Sequence, residues 1–242
     1  MSDQRMEHLR SLHRANLALH PPGQGHVPFT SSEIKAARDD MSNNKAPGAS
    51  RIRKEDFEIA GDALDDLVRI LSDRICMTGI WPEVLKTQIV CPLPKYSSKR
   101  DIIEEDETRP ISLLETLDKW IQRAVYNRVN VYVKYNEKQI GYRKSCDHHT
   151  TTLSDHLYNN MHKYNIVVFT DIAKAFDSVP IPELTYAIWN SNIPPVYKMV
   201  IASFTKDRRY KVELRSPDKK VVSSKWKKQL YGTPQGSVLG PL

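Results

Sequence analysis

The chain has 242 residues, of which 40% are hydrophobic and 27% are charged, a balance typical of a folded globular protein with one large or two modest cores. Its three cysteines (Cys76, Cys91 and Cys146) lie far apart without paired spacing, which argues against a disulfide framework. No apolar run approaches membrane-spanning length, and the N-terminus lacks the apolar segment of a signal peptide. We therefore expect an intracellular protein, nuclear or cytoplasmic, that is neither secreted nor membrane-bound.

The excess of basic residues is concentrated near the C-terminus. The chain carries 36 Lys and Arg against 29 Asp and Glu, a net charge of +7. Residues 206–228 alone hold ten basic and three acidic residues, so the rest of the chain sums to zero. Tyr210 and Trp226 lie among these charges, a composition that suits a polyphosphate partner but equally a solvated hairpin face.

The N-terminal part predicts helices separated by turns. Residues 3–19 are expected to form a short basic helix. Thr30 and Glu33 have capping-box spacing, which predicts the start of a second helix. Apolar residues at helical spacing predict a further helix over 62–78, with Gly79 as its C-cap.

The middle of the chain predicts two extended segments and two helices. KTQIVCPLPK at 86–95 is typical of a strand broken by Pro92 and Pro94, with Lys95 at its end. The segment from 108 starts extended, because Pro110 disfavours a helix at Arg109, and continues as a helix to about Tyr135. A second helix is expected over about 147–163.

The segment IVVFTDIAKAFDSV at 166–179 carries the strongest chemical signal. Its β-branched, apolar start over 166–170 predicts a buried strand that delivers Asp171 to its C-terminal end. A second carboxylate, Asp177, follows beside Phe176. A carboxylate at a strand end suits a hard divalent cation, although such residues also serve as helix caps and turn formers.

The C-terminal part predicts two helices and a hairpin. Pro180 and Pro194 are expected to open the helices, and RYKVELR and KVVSSKWKKQLY to form the hairpin. Because helices and strands alternate, the predicted fold class is α/β or α+β.

Six blocks in this order resemble the fingers and palm of reverse transcriptases, most closely those of non-LTR (LINE-type) retrotransposons. The blocks are NKAPG (44–48), WPEVLKTQIVCPLPK (81–95), TRPISLLETLDKWIQRAVYNRV (108–129), QIGYRKSCDHHTT (139–151), FTDIAKAFDSV (169–179) and YGTPQGSVLGPL (231–242). The resemblance implies a right-hand polymerase fold with fingers and an incomplete palm. It divides the chain into an N-terminal helical extension (1–40), a fingers-like region (41–165) and a partial palm with the basic hairpin (166–242).

The resemblance also implies an activity and its partners. Members of this family copy an RNA template into DNA from a primer, using dNTPs and two Mg²⁺ ions, with Mn²⁺ as a possible substitute. The transition state is crowded with negative charge, so catalysis consists mostly of positioning and electrostatic neutralisation. We expect the same partners here: RNA template, DNA primer and dNTP.

The roles of individual residues follow from the matching motifs. Asp171 matches the catalytic carboxylate that bridges both metals in the family, and the resemblance implies that the backbone carbonyl of Ile172 would complete the shell of the second ion. The residues that match the nucleotide-binding positions are Lys95 and Arg109 (triphosphate), Phe176 (steric gate against a 2′-hydroxyl), and Gln235 and Gly236 (pocket loop). Asp177 matches a position that tends to be structural.

The basic hairpin is expected to lie along the template–primer path, where phosphate contacts give sequence-independent affinity. The expected nucleic-acid-binding residues are Arg208, Arg209, Lys211, Lys219, Lys220, Lys227 and Lys228.

The sequence departs from the family pattern at three places. Ser50 and Arg51 replace an Asp and a Gly of the fingers loop, and Ile140 replaces an aromatic residue. The third palm motif, which carries an Asp-Asp pair, is not among the 242 residues, so we expect this chain to be inactive by itself. Two alternatives remain: a non-catalytic nucleic-acid-binding protein derived from a retroelement, and a relative of intron maturases.

Overall fold

The computed structural model describes residues 3–95, 107–136, 139, 141, 148–161, 164, 166, 168, 170–172, 174–215 and 220–242. The helices are α1 (Asp3–Leu19), α2 (Ser31–Asp39), α3 (Lys54–Ala60), α4 (Asp62–Thr78), α5 (Thr116–Val129), α6 (His148–Asn159), α7 (Ala175–Ser178), α8 (Ile181–Trp189) and α9 (Pro195–Thr205). The strands are β1 (Thr87–Pro94), β2 (Thr108–Leu114), β3 (Arg209–Arg215), β4 (Val221–Ser223) and β5 (Lys227–Lys228). Within these ranges no helix combines the length and the apolar character required to cross a membrane.

The described strands form one mixed sheet in the order β2-β1-β3-β4, with β5 also paired to β3. β1 and β2 are antiparallel, β1 and β3 are parallel, and β3 pairs antiparallel with both β4 and β5. Helices combined with a mixed sheet confirm the α+β expectation. The predicted break at Pro92 and Pro94 is wrong, because β1 stays paired with β2 through both prolines. The pairing of β3 with β4 also confirms the predicted hairpin, whose turn lies outside the described residues.

Local sequence signals position several helices correctly. The Thr30 side chain accepts a hydrogen bond from the Glu33 N–H (3.2 Å), and the Glu33 carboxylate accepts one from the Thr30 N–H (2.8 Å), so the capping box at the start of α2 is confirmed. Gly79 adopts the left-handed conformation (φ 66°) after α4, and its N–H donates to the Ile75 carbonyl. The predicted C-cap is therefore also correct.

The hydrophobic core is a single cluster centred on α5. Trp120 and Val125 of α5 are fully buried and belong to the same cluster as Ile34 of α2, Ile75 of α4 and Val200 of α9. The cluster therefore joins side chains from all three predicted regions, so the N-terminal helices and the C-terminal region share one core. The boundaries at residues 40 and 165 stay predictions.

The predicted buried strand over 166–170 is wrong at the residues that the structure describes. Ile166 and Val168 are 89% and 77% exposed, and no strand is assigned at residues 166, 168 or 170. A β-branched segment becomes a strand only when a neighbouring strand satisfies its backbone groups. None of the five described strands pairs with this segment.

Candidate nucleotide-binding site

The ends of β1 and β2 bring two predicted triphosphate ligands close together. Leu93 lies opposite Arg109 in the antiparallel register, and the Lys95 N–H continues that register by donating to the Glu107 carbonyl (2.8 Å). Side chains two positions apart share a face of a sheet, so Lys95 and Arg109 are diagonal neighbours on one face. Both residues are exposed. Two cations at this spacing can hold neighbouring oxygens of a polyphosphate.

The loop that contains Gln235 connects this hairpin to the segment after Asp171. The Gln235 carbonyl accepts a hydrogen bond from the Ser112 N–H of β2 (2.8 Å), and the Gln235 side-chain amide donates to the Asp177 carboxylate (2.9 Å). One residue therefore contacts both β2, which carries Arg109, and α7, which carries Phe176 and Asp177.

Close backbone packing fixes the position of α7 against the same loop. The Thr233 N–H donates to the Phe176 carbonyl (2.9 Å), and the Gly232 N–H donates to the Val179 carbonyl (2.7 Å). A Cβ on Gly232 would overlap the Phe176 carbonyl oxygen, and the residue has φ +75°. Only glycine fits there, because both the conformation and the distance exclude a side chain.

Gly236 extends the contact with β2. Its φ of +111° favours glycine, and an added Cβ would lie 3.1 Å from the Ser112 carbonyl oxygen. The structure thus brings Phe176, Gln235 and Gly236 into one assembly with the strand that carries Arg109. Their roles in nucleotide binding stay predictions.

Asp177 is half-buried in this assembly. Burial raises the pKa of its carboxyl group, while the hydrogen bond from Gln235 and the nearby Lys174 oppose that rise. Its carboxylate is engaged by Gln235. This geometry is consistent with the structural role that the sequence suggested.

A buried polar cluster below the loop involves a glutamine that sequence reasoning missed. The Gln122 side-chain oxygen accepts hydrogen bonds from the N–H groups of Val238 (2.8 Å) and Leu239 (3.3 Å). Its amide donates to Asp118 (2.8 Å), which also accepts from the Trp81 indole (2.8 Å). Gln122 therefore attaches the chain just after Gln235 and Gly236 to α5. No local motif marks such a residue, since its partners come from distant parts of the sequence.

Arg208 belongs to the same cluster, and its prediction as a nucleic-acid ligand is wrong. It is 0% exposed, lies 3.6 Å from the Asp118 carboxylate, and donates to the Phe204 carbonyl (3.2 Å). A guanidinium with no accessible surface cannot contact a phosphate. Burial lowers the pKa of Arg208 and raises that of Asp118 to about 6, while each charge opposes the shift of the other.

The other basic residues of the hairpin are divided between the two faces of the sheet. Arg209 lies opposite Lys228, whereas Lys227 lies opposite Tyr210, so alternation places Arg209, Lys211 and Lys228 on one face and Lys227 on the other. We call the first group the basic face. Lys220 is exposed, and Lys219 lies outside the described residues.

Acidic neighbours partly neutralise the basic face. Lys228 pairs with Asp207 (2.5 Å) and Lys211 with Glu213 (2.6 Å), and the Lys211 ammonium lies 5.4 Å from the centre of the Trp226 ring. The Lys228–Asp207 pair is exposed and therefore weak, whereas the side chains of Lys211 and Glu213 are mostly buried. Lys228 can therefore exchange its partner for a phosphate at little cost.

The predicted metal ligands Asp171 and Ile172 lie in an exposed segment. Two-metal centres need several oxygen ligands around the ions. Among the described residues, no three His, Cys, Asp or Glu side chains cluster in a way that could hold a metal ion. These residues therefore do not form a complete metal centre, and the roles of Asp171 and Ile172 stay predictions.

Comparison with known proteins identifies the family. The family described as "Reverse transcriptase (RNA-dependent DNA polymerase)" matches residues 94–242, which is more than half of the chain. The protein belongs to the reverse transcriptase family. The match contains Lys95, Arg109 and the Asp171 segment together with the Gln235 loop.

Similar curated proteins come from mobile elements of fruit flies. The "RNA-directed DNA polymerase from mobile element jockey" of Drosophila melanogaster is 27% identical over 237 residues, covering 92% of this chain and 25% of the relative. The "Probable RNA-directed DNA polymerase from transposon BS" of the same species is 26% identical over 226 residues, covering 89% and 24%. These matches confirm the resemblance to reverse transcriptases of LINE-type elements. The chain spans about a quarter of the length of the curated relatives that it matches.

Proposed function

We propose that this chain contributes the nucleotide-binding and template–primer-binding part of an RNA-directed DNA polymerase. The observation that carries the proposal is the pair of contacts made by Gln235, to the Ser112 backbone and to the Asp177 carboxylate. These contacts join the strand that carries Arg109 to the helix that carries Phe176. The assembly has the right residue types for a dNTP: cations for the triphosphate and an aromatic ring for the sugar.

In this proposal each residue has a defined task. Lys95 and Arg109 bind the triphosphate, and Arg109 does so with the planar fork that matches phosphate oxygens. Phe176 lies under the sugar and excludes a 2′-hydroxyl. Gln235 and Gly236 form the loop that closes the pocket, and the exposed cations of the hairpin bind the template–primer backbone.

Asp171 and the Ile172 carbonyl are proposed to contribute to a divalent cation site in the family reaction. A bound cation would neutralise the triphosphate and activate the primer hydroxyl. The expected inactivity of the 242-residue chain by itself stays a prediction, tested by primer extension with Mg²⁺ or Mn²⁺. Any incorporation that Asp171→Ala abolished would overturn it.

Nucleotide binding tests the proposal without requiring turnover. Titration of the chain and a primer–template with a fluorescent dNTP should give at least about tenfold weaker binding for Arg109→Gln, because a charge-assisted phosphate contact contributes about 1.5 kcal/mol or more. Phe176→Ala should instead reduce the preference for dNTP over rNTP.

The matched control is Arg74→Gln, an exposed arginine on α4. It should leave dNTP affinity unchanged. Equal affinities for wild type and Arg109→Gln would contradict the proposed site.

A further inference from the structure

A second concentration of positive charge surrounds a cavity outside the candidate nucleotide site. The cavity has a volume of about 140 Å³ and lies between the loop after α2, the start of α3 and one face of α5. Its charged lining consists of Lys45, Lys54, Lys119, Arg123 and Asp40. Four cations thus face one carboxylate. None of the predicted nucleotide ligands lines this cavity.

Only part of this positive charge is neutralised by the protein. Lys54 pairs with Glu58 (3.2 Å), and the Arg123 Nε atom lies 3.3 Å from the Asp40 carboxylate. That Nε atom is nevertheless buried and makes no hydrogen bond within the part of the chain that the structure describes. The contact with Asp40 therefore lacks hydrogen-bond geometry, and an anionic ligand in the cavity would give this donor a better-placed acceptor.

Lys119 is the second cation of the cavity whose positive charge is only partly compensated by the protein. Burial lowers the pKa of its ammonium, and the attraction of Asp118 and Glu115 opposes that shift. No carboxylate among the described residues lies within ion-pair distance of its Nζ atom. An ammonium that is partly removed from water and lacks an ion-pair partner is unfavourable in the free protein, and an anion would relieve this.

The residues that α5 contributes to the cavity lie along one face of the helix. Thr116, Lys119 and Arg123 follow one another at i, i+3 and i+7, so they lie along one face of the helix. A volume of about 140 Å³ is several times the minimum for one water molecule, which leaves space for a tetrahedral oxyanion with its hydration. Mixed Lys and Arg side chains around such a space are typical of phosphate sites.

We propose that this cavity binds a phosphate group at a site separate from the nucleotide pocket. The phosphate comes either from a free inorganic anion such as pyrophosphate or from the backbone of a bound nucleic acid strand. Val238, whose N–H is held by Gln122, also lines the cavity, so an occupied site lies directly beside the loop that contains Gln235. The proposal does not depend on the proposed nucleotide site.

Thermal unfolding with pyrophosphate tests the free-anion source. A ligand that binds only the folded state raises Tm with its concentration. We expect pyrophosphate to raise the Tm of wild type by more than that of Lys119→Met, in which only the proposed triphosphate ligands Lys95 and Arg109 remain to bind it. In the absence of the anion, Lys119→Met should be at least as stable as wild type, because it removes a poorly solvated charge. A lysine with a purely structural role would give a loss of stability instead.

Titration of a short single-stranded oligonucleotide tests the backbone source. At least about tenfold weaker binding by Lys119→Met, without a pyrophosphate effect on Tm, assigns the cavity to nucleic acid. Lys119→Arg should restore binding in either assay. Lys35→Met, an exposed lysine of α2 away from the cavity, is the matched control and should behave as wild type. If neither ligand distinguishes Lys119→Met from wild type, the proposal is wrong.

Arg109→Gln separates this site from the nucleotide site. It should weaken dNTP binding and keep the part of the pyrophosphate shift that Lys119→Met removes. Loss of the pyrophosphate shift in Arg109→Gln but not in Lys119→Met would place the anion in the nucleotide site and overturn the separate cavity.

Discussion

Arg208 and Arg209 are adjacent in sequence and have opposite environments. Arg208 is fully buried beside Asp118, whereas Arg209 is exposed on the basic face. Counting charges in residues 206–228 treats the two residues as equivalent, because composition contains no information about which face of a strand each residue occupies. The buried arginine has a polar environment supplied by α5 and by two backbone carbonyls, which only the folded chain brings together.

Adding a single Cβ atom at Gly232 should destabilise the protein. Gly232→Ala should destabilise the protein by about 2–4 kcal/mol, because it combines a positive φ with overlap against backbone atoms of Phe176 and Asp177. The free energy of unfolding from urea denaturation measures the loss. The matched control is Gly25→Ala, which also has positive φ (+77°) but meets no atom within 4 Å. A loss equal to that of Gly25→Ala would show that the contact at residue 232 is unimportant.

At the scale of elements, one charged residue of α2 links this helix to α5. Glu33 completes the capping box at Thr30 and accepts two hydrogen bonds from Arg128 of α5, both 2.7 Å long. The Arg128 hydrogen bond is the largest cause that lowers the pKa of Glu33 to about 2, and burial opposes it. This carboxylate therefore links the start of one helix to the end of another.

The stability contributed by Glu33 should depend on pH. Its pKa in the folded state lies below the ordinary value of 4.5, so its contribution is present above that pH and is lost as the pH falls towards 2. We expect Glu33→Gln to reduce the free energy of unfolding at pH 7 by about 1 kcal/mol. The difference from wild type should shrink below pH 4.5. A loss of equal size at pH 2.5 and pH 7 would contradict this assignment.

Sequence alone predicts elements whose signals are local. The capping box at Thr30, the C-cap at Gly79 and the proline that begins α9 each depend on residues within one or two turns. The segment at 166–170 has an equally clear local pattern, but pairing with a distant strand decides its conformation. The register of β1 against β3 has no local signal either, and the cavity beside Lys119 depends on side chains from three separate elements.

At the scale of the whole molecule, two of the positively charged surfaces formed by the described residues lie on different elements. The basic face on β3 and β5 consists of Arg209, Lys211 and Lys228, and the charged cavity lies beside α5. A count of net charge along the sequence identified the first and missed the second, because the second is built from residues scattered between positions 40 and 123.

Salt dependence tests the basic face. Reversing Arg209, Lys211 and Lys228 to Glu should weaken oligonucleotide binding and reduce the slope of log K against log salt by about 0.7–0.9 for each lost phosphate contact. Fluorescence anisotropy at salt concentrations between about 50 and 200 mM measures this slope. Reversal of the exposed Lys35, Arg74 and Lys134 is the matched control for net charge. An equal reduction in both variants would show that total charge, and not this face, governs binding.

The parallel pairing of β1 with β3 has a consequence for the order of folding during synthesis. β2 follows β1 closely in the chain, so the two strands can pair early. The other edge of β1 pairs with β3, in the register Thr87 to Arg209, and β3 is synthesised much later. Until then β1 presents unpaired N–H and carbonyl groups, a template for association with other nascent chains. Non-local pairing of this kind also slows folding. The ribosome must therefore complete α8 and α9 before the central strand of this sheet is protected on both sides.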